Sequence, residues 1–88
     1  MQAYLAPYQK EGVVAQTLDI IEAMFGQYVT LQTRFADLGA NSLDILELFI
    51  DLEEKFEVSV EIPYDLPEDF GTVGIVVGCV LGAFAELD

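Results

Sequence analysis

The sequence contains no histidine, one cysteine (Cys79) and three basic residues among its 88. Without histidine, Ser-His-Asp and Cys-His catalysis are excluded, and the most common transition-metal ligand is missing, so we predict neither an enzyme nor a metal site. Cys79 has no partner for an internal disulfide and lies in an apolar run, which indicates a buried small hydrophobe. The amino terminus lacks the basic and apolar regions of a signal peptide, so we expect a cytoplasmic protein.

Basic residues are scarce against acidic ones. Three lysines and arginines stand beside sixteen aspartates and glutamates, which gives a formal net charge of −13. That balance argues against nucleic-acid binding and favours basic partners drawn by long-range attraction, although acidity can also serve solubility alone. The length and a hydrophobic fraction of 53% fit one small domain. We predict a lead-in segment over residues 1–10 and a helical domain over 11–88.

The first apolar pattern predicts a helix from Glu11 to Phe25, with Gly26 as its stop. Its core-facing residues recur at helical spacing: Val14, Leu18, Ile21 and Phe25, broadened by Val13, Ile20 and Met24. The connection that follows, residues 27–41, is too apolar for a free loop. We expect it to be pinned to the core and to deliver the next segment to a second helix.

Residues 37–44, Asp-Leu-Gly-Ala-Asn-Ser-Leu-Asp, mark the start of that second helix. Asn41 is a good N-cap, and Asp44 can reach back to its backbone. Ser42 then takes the first helical position with its hydroxyl free, while Gly39 supplies either a positive φ or room for a close approach. An exposed hydroxyl at the positive end of a helix is a seat for a phosphate ester. The simpler alternative is that the serine itself caps the helix.

The second helix, predicted from Ser42 to Phe56, has two apolar faces. One gathers the residues of the core: Ile45, Leu48, Phe49, Leu52 and Phe56. On the opposite side, an apolar centre is surrounded by carboxylates, as in a protein-docking surface. Its members are Leu43, Leu46 and Ile50 with Asp44, Glu47, Asp51, Glu53 and Glu54. Three scattered exposed hydrophobes are the alternative.

The remaining segments complete an all-α prediction, a small four-helix bundle of three main helices plus a short third one. We expect an extended loop at 57–62, a short helix from Tyr64 to Phe70 and a last helix from Thr72 to Leu87. This last helix is uncharged up to Ala85 and carries glycine every fourth residue. It falls short of the roughly 18–20 apolar residues of a membrane span, so we predict a core helix. Its glycines, Gly74, Gly78 and Gly82, indicate either a closely packed neighbour or space for a guest chain.

The motif at 37–44 resembles the attachment site of acyl carrier proteins. The likeness runs from about Thr17 to Ala85. It includes Phe35 before the motif, and three segments after it: Leu-Glu-Leu at 46–48, Leu-Glu-Glu-Lys-Phe at 52–56 and Glu-Ile-Pro at 61–63. The resemblance implies a free-standing carrier rather than an enzyme. Its serine, Ser42 here with Gly39 and Asn41 beside it, would bear a covalent 4′-phosphopantetheine arm that holds acyl groups as thioesters.

The resemblance also implies the partners. A phosphopantetheinyl transferase would attach the arm, and ketosynthases and other acyl-processing enzymes with basic surfaces would dock on the outer side of the second helix. The carrier would be a monomer. Asn41 stands where the family often has aspartate, and the loop before Ile62 is about two residues longer than usual, so a fatty-acid and a polyketide role both stay open. A peptidyl or aminoacyl carrier, a cofactor-free acidic adaptor for a basic protein and a membrane-associating peptide are the alternatives.

The crowding of carboxylates between Asp44 and Asp69 predicts a fold that is sensitive to salt. Like charges repel across this region, and added salt or divalent cations screen the repulsion. We expect the melting temperature at neutral pH to rise from low to moderate ionic strength. A thermal melt followed by circular dichroism measures this, and an unchanged melting temperature would show that the repulsion is unimportant.

Overall fold

Three helices share one apolar core in a computed structural model that describes residues 10–85. The helices are α1 (Lys10–Phe25), α2 (Ser42–Phe56) and α3 (Val73–Ala85), and a 3₁₀ helix (Phe35–Leu38) precedes α2. Helix α1 packs against both α2 and α3. The all-α class and the long connection between the first two helices are confirmed. The predicted lead-in, apart from Lys10, and the end of the last helix after Ala85 lie outside the described residues.

The short third helix predicted for Tyr64–Phe70 does not form. Two turns replace it, closed by the Leu66 N–H on the Pro63 carbonyl at 3.3 Å and by the Phe70 N–H on the Pro67 carbonyl at 2.8 Å. Pro67 explains the difference, because it has no N–H to donate and its ring collides with the carbonyl four residues earlier in a helix. The part of the chain that the structure describes therefore contains three α-helices rather than four.

Helix α1 has fewer fully buried residues than its predicted core face. Val13, Thr17 and Ile21 are fully buried, four residues apart. All the other predicted core residues of this helix are partly buried against the core: Val14, Leu18, Ile20, Met24 and Phe25. The buried hydroxyl of Thr17 donates to the Val13 carbonyl at 2.8 Å, so its polar atom is satisfied within the helix.

Helix α2 has the two faces that the sequence predicts. Ile45, Leu48, Phe49, Leu52 and Phe56 are buried. On the opposite side Leu43, Leu46 and Ile50 are 61%, 51% and 52% exposed. Past the end of α2, Glu57 takes a left-handed conformation (φ 57°) rather than the extended one predicted, and residues 59–62 form an irregular loop. The Val60 N–H donates to the Glu53 carboxylate at 2.9 Å and holds this loop against the helix.

Helix α3 has no charged residue and contributes six side chains to the core. Val73, Val76, Val77, Val80, Ala83 and Phe84 are buried, and the Phe84 ring meets Phe56 edge-on with centroids 5.5 Å apart. Among the described residues, Gly74 is the one glycine of this helix with a close neighbour, because a Cβ there would lie 3.1 Å from the Leu31 carbonyl oxygen. No described residue lies within 4 Å of a Cβ at Gly78 or Gly82. No helix between residues 10 and 85 is both long and apolar enough to cross a membrane.

The connection between α1 and α2 is bound to the start of α3. The Gly74 N–H donates to the Leu31 carbonyl at 2.9 Å, and the Val73 N–H donates to the Thr33 carbonyl at 2.8 Å. The Phe35 N–H donates to the Gly71 carbonyl at 3.0 Å, and the Phe35 ring is completely buried. These bonds hold the long connection against the core, as the sequence predicts.

An ion pair between Arg34 and Asp69 closes the same junction. The second Asp69 oxygen accepts the Gly71 N–H at 3.1 Å. The Gly71 N–H, and then the Arg34 guanidinium, lower the pKa of Asp69 below its ordinary value of 3.8. The ion pair requires the ionised carboxylate, and the Gly71 N–H bonds more strongly to that form, so both contacts strengthen the junction most where Asp69 is charged.

The division of α2 into a buried and an exposed face predicts that similar truncations differ greatly in their effect on stability. Leu48→Ala and Phe49→Ala should lower the free energy of unfolding by about 2–5 kcal/mol, since each leaves a cavity. Leu46→Ala and Ile50→Ala should change it little, because these side chains are half exposed. Urea unfolding of the four variants measures the difference. Equal losses on both sides would show that the outer side chains are also part of the core.

The lowered pKa of Asp69 predicts a pH-dependent contribution to stability. A carboxyl whose pKa is lower in the folded than in the unfolded protein stabilises the fold above its unfolded pKa, and this contribution disappears as pH falls through the folded pKa. Asp69→Asn should therefore lower the melting temperature at pH 7, and the difference from the wild type should vanish in acid.

Asp65→Asn is the matched control, because it removes the same charge from a neighbouring exposed residue that has no ion pair among the described residues. Melting temperatures of both variants across pH separate loss of the junction from general relief of repulsion. If both variants shift the melting temperature equally, the contacts of the Asp69 carboxylate add no stability.

Candidate functional site

A capping box fixes the start of α2. Asn41 has an extended backbone (φ −117°, ψ 179°), and its side-chain oxygen accepts the Asp44 N–H at 2.9 Å. In return, the Asp44 carboxylate accepts the Asn41 N–H at 3.0 Å. Both predicted roles are confirmed, and the alternative that Ser42 caps the helix is wrong. The reason is chemical: an asparagine side chain is as good an N-cap as serine and stands one residue earlier.

The turn before the cap depends on a buried anchor and a glycine. Phe35 begins the 3₁₀ helix, and the Ala40 N–H donates to the Phe35 carbonyl at 3.2 Å. Gly39 ends this helix with φ 77°, in the left-handed region that suits glycine. No described residue lies within 4 Å of a Cβ at this position. Gly39 therefore has the predicted positive φ, and its backbone also has room for a close approach, the second predicted role.

Ser42 is the first residue of α2, and its side chain is exposed. Its hydroxyl makes no hydrogen bond to any described residue, because Asn41 already serves the cap. The first helical bond comes from the Ile45 N–H to the Asn41 carbonyl at 3.1 Å. The N–H groups of Ser42 and Leu43 thus point out of the helix end without an acceptor in residues 10–85.

This arrangement fits a phosphate ester on the Ser42 oxygen. Two free N–H groups and the positive end of the helix dipole lie beside the hydroxyl, and both favour an anion. The nearest carboxylate on the helix, Asp44, accepts the Asn41 N–H and is held in the capping box. The donor set of the site therefore matches the phosphate of a serine-linked phosphopantetheine.

The outer face of α2 continues from this end of the helix. Leu43, Leu46 and Ile50 form its apolar centre, with Asp44, Glu47, Asp51 and Glu54 around them. In residues 10–85 the single ion pair joins Arg34 to Asp69, so none of these acids is neutralised by a cation. Glu53 lies at the edge and is partly engaged by the Val60 N–H. The face has an apolar centre and an unneutralised acidic rim.

Sequence reasoning missed the residues that join the loop before α2 to the segment before α3. Arg34 and Asp69 pair across 35 positions, and Gly71 receives and donates hydrogen bonds at the same junction. No local pattern indicates such a pairing. The one available signal was the isolated arginine immediately before Phe35, in a chain with three basic residues.

Cys79 packs against the core but is only partly buried, so the prediction of a buried side chain holds only in part. This partial burial raises the pKa of its thiol. In the range 10–85, no group of three histidine, cysteine or acidic side chains is arranged to hold a metal ion.

Comparison with known proteins identifies the family of the chain. The family model described as "Phosphopantetheine attachment site" matches residues 12–80. The acyl carrier protein of Exiguobacterium sibiricum is 39% identical over 75 residues, covering 81% of this chain and 92% of its own length. Those of Helicobacter acinonychis and Clostridium perfringens are 43% and 44% identical over 68 and 66 residues. They cover 76% and 74% of this chain, and 80% and 79% of their own lengths.

The family model covers all of α2 and most of α1 and α3, and its range includes the capped start of α2 with Ser42. The resemblance stated from the motif is confirmed. This chain belongs to the acyl carrier protein family, whose members bear a phosphopantetheine attachment site.

Proposed function

We propose that the chain carries acyl groups as thioesters on a 4′-phosphopantetheine arm attached to Ser42, and presents them to enzymes of fatty-acid or polyketide biosynthesis. One observation carries the proposal: the Ser42 hydroxyl is exposed and unused beside two free N–H groups at the start of α2. A serine that capped its own helix would be committed to the fold. This one is available for modification.

The family supplies the cofactor and the type of activity. Phosphopantetheine-binding proteins carry the group covalently. Acyl carrier proteins are carriers rather than enzymes, and they interact with acyl-processing enzymes. The terminal thiol of the arm supplies the thioester chemistry. The protein supplies a fixed point of attachment, because Ser42 stands at the end of a helix whose start is closed by two hydrogen bonds.

The outer face of α2 is the proposed docking surface for partners. Its acidic rim matches basic patches on a phosphopantetheinyl transferase, a ketosynthase and other acyl-processing enzymes. Charge of one sign speeds encounter with such partners, and the apolar centre at Leu43, Leu46 and Ile50 supplies contact area once they meet. Ser42 begins the same helix, so a partner bound to this face lies next to the attachment point.

The domain, location and pathway complete the proposal. Residues 11–88 would form the carrier domain with 1–10 as a lead-in, and the protein would be a cytoplasmic monomer, in keeping with the free thiol of Cys79. The relatives are named as acyl carrier proteins without a pathway. Asn41 in place of the family's frequent aspartate still forms a complete capping box, so it is compatible with either pathway.

Replacement of Ser42 tests the proposal directly. The chain has two serines, Ser42 and Ser59, and both are exposed. With a broad-specificity phosphopantetheinyl transferase and coenzyme A, the wild type and Ser59→Ala should gain the mass of one phosphopantetheine, and Ser42→Ala should gain none. Ser42→Ala should melt within a few degrees of the wild type, because Asn41 provides the cap.

Intact-mass spectrometry measures the mass gain, and circular dichroism measures the melting temperature. Modification of Ser42→Ala would place the attachment elsewhere. A folded wild-type protein that no competent transferase modifies would instead favour the cofactor-free adaptor.

A further inference from the structure

We infer that the surface bound by the phosphopantetheinyl transferase continues from the outer face of α2 into the groove between α1 and α2. There, a basic segment of the transferase would insert an apolar side chain. The inference rests on the proposed function, because it assumes that an enzyme docks on α2 to reach Ser42. It adds a second contact region, on α1, to which the sequence pattern gave no docking role.

The groove is formed by matching faces of two helices. Its volume is about 530 Å³, and it is lined by Ile20, Ala23 and Met24 of α1 and by Asp51, Glu54 and Lys55 of α2. Each set has the spacing i, i+3, i+4, which places its members side by side on one helix face. The small side chain of Ala23 is exposed between two larger, partly buried ones, so the apolar side of the groove stays open.

Charge indicates what the groove accepts. Asp51 and Glu54 are exposed and have no ion pair among the residues that the structure describes, while Lys55 stands next to them. The lining therefore carries two negative charges against one positive. An apolar side facing carboxylates that outnumber the one lysine fits a segment with a lysine or arginine next to an apolar side chain. A second copy of this chain fits poorly, because both copies carry a formal charge of −13.

The groove is continuous with the outer face. Asp51 and Glu54 belong to the acidic rim of that face and also line the groove. A cation that pairs with either carboxylate therefore brings its neighbouring side chains to the groove. From Ser42 to Lys55 the helix rises about 20 Å. Specific interfaces cover about 800 Å² of each partner, a patch wide enough to include both ends.

Filling the groove tests the apolar part of the inference. Ala23→Leu places a larger side chain in the opening without changing charge or helix propensity much. We expect the KM of the apo-protein for a broad-specificity transferase, with coenzyme A saturating, to rise about three- to tenfold with kcat unchanged, since uniform binding is lost. The rise should persist at high salt. Ala15→Leu, on an exposed part of α1 outside the groove, should leave KM unchanged.

A second variant at the same position tests the electrostatic part of the inference. It also keeps the inference testable if Ala23→Leu does not fold. Ala23→Lys puts a cation beside Asp51 and Glu54 and should raise KM mainly at low salt. Ala15→Lys makes the same change in net charge away from the groove and should have the smaller effect. Glu47→Lys on the outer face is the reference, because the proposed docking surface requires that it raise KM whether or not the groove is used.

The outcomes separate the two proposals. If Glu47→Lys raises KM and both Ala23 variants match their Ala15 controls, the groove takes no part and the proposed function stands. If the wild type is never modified, the proposed function itself fails. A wild-type dimer by sedimentation that Ala23→Leu dissociates would identify a second copy as the occupant and overturn the inference.

Discussion

The reciprocal hydrogen bonds between Asn41 and Asp44 are the interaction on which the functional end of the molecule depends. They close the start of α2 with two side chains that flank Ser42 without using it. A capped helix begins at a defined residue, while its apolar pattern decides which residues face inward. In α2, Leu48 faces the core and Leu46 faces solvent. The exposed hydroxyl and the free N–H groups follow from the cap.

The capped end is useful only because the chain leading to it is held in place. Backbone hydrogen bonds join residues 31–35 to residues 71–74, and the Phe35 ring is buried beneath them. The Arg34–Asp69 pair lies on the exposed side of the same junction. An exposed ion pair contributes little by itself, so the backbone bonds and the buried ring carry most of the constraint. The attachment loop is thereby tied to the first turn of α3.

The acidic surface has opposite effects on stability and on association. Carboxylates along α2 repel one another in the isolated protein, while the same charges attract basic partners over long distances. The apolar residues divide in a similar way: Phe49 and Leu52 stabilise the fold, and Leu43 and Ile50 remain available for contact. Gly78 and Gly82 weaken helix α3 relative to alanine, and no residue between 10 and 85 packs beside them to offset that loss.

Local patterns determined much of this protein from the sequence alone. The period of apolar residues predicted α2 at both ends, because a capping residue precedes it and the next segment alternates. The motif around Ser42 predicted the cap and the phosphate seat, since both depend on residues within four positions of each other. Pro67 was a local signal as well, and it outweighed the acidic pattern that favoured a short helix at Tyr64–Phe70.

Tertiary structure alone decided what depends on residues far apart in the chain. It paired Arg34 with Asp69, placed Leu31 against Gly74 and chose Thr17 rather than Leu18 as a fully buried residue of α1. It also brought Ala23 beside Asp51 to form the groove. Helical periodicity gives the direction of a side chain around its own axis, but the neighbour it meets depends on how the helices cross. That crossing is set by the packing of the whole core.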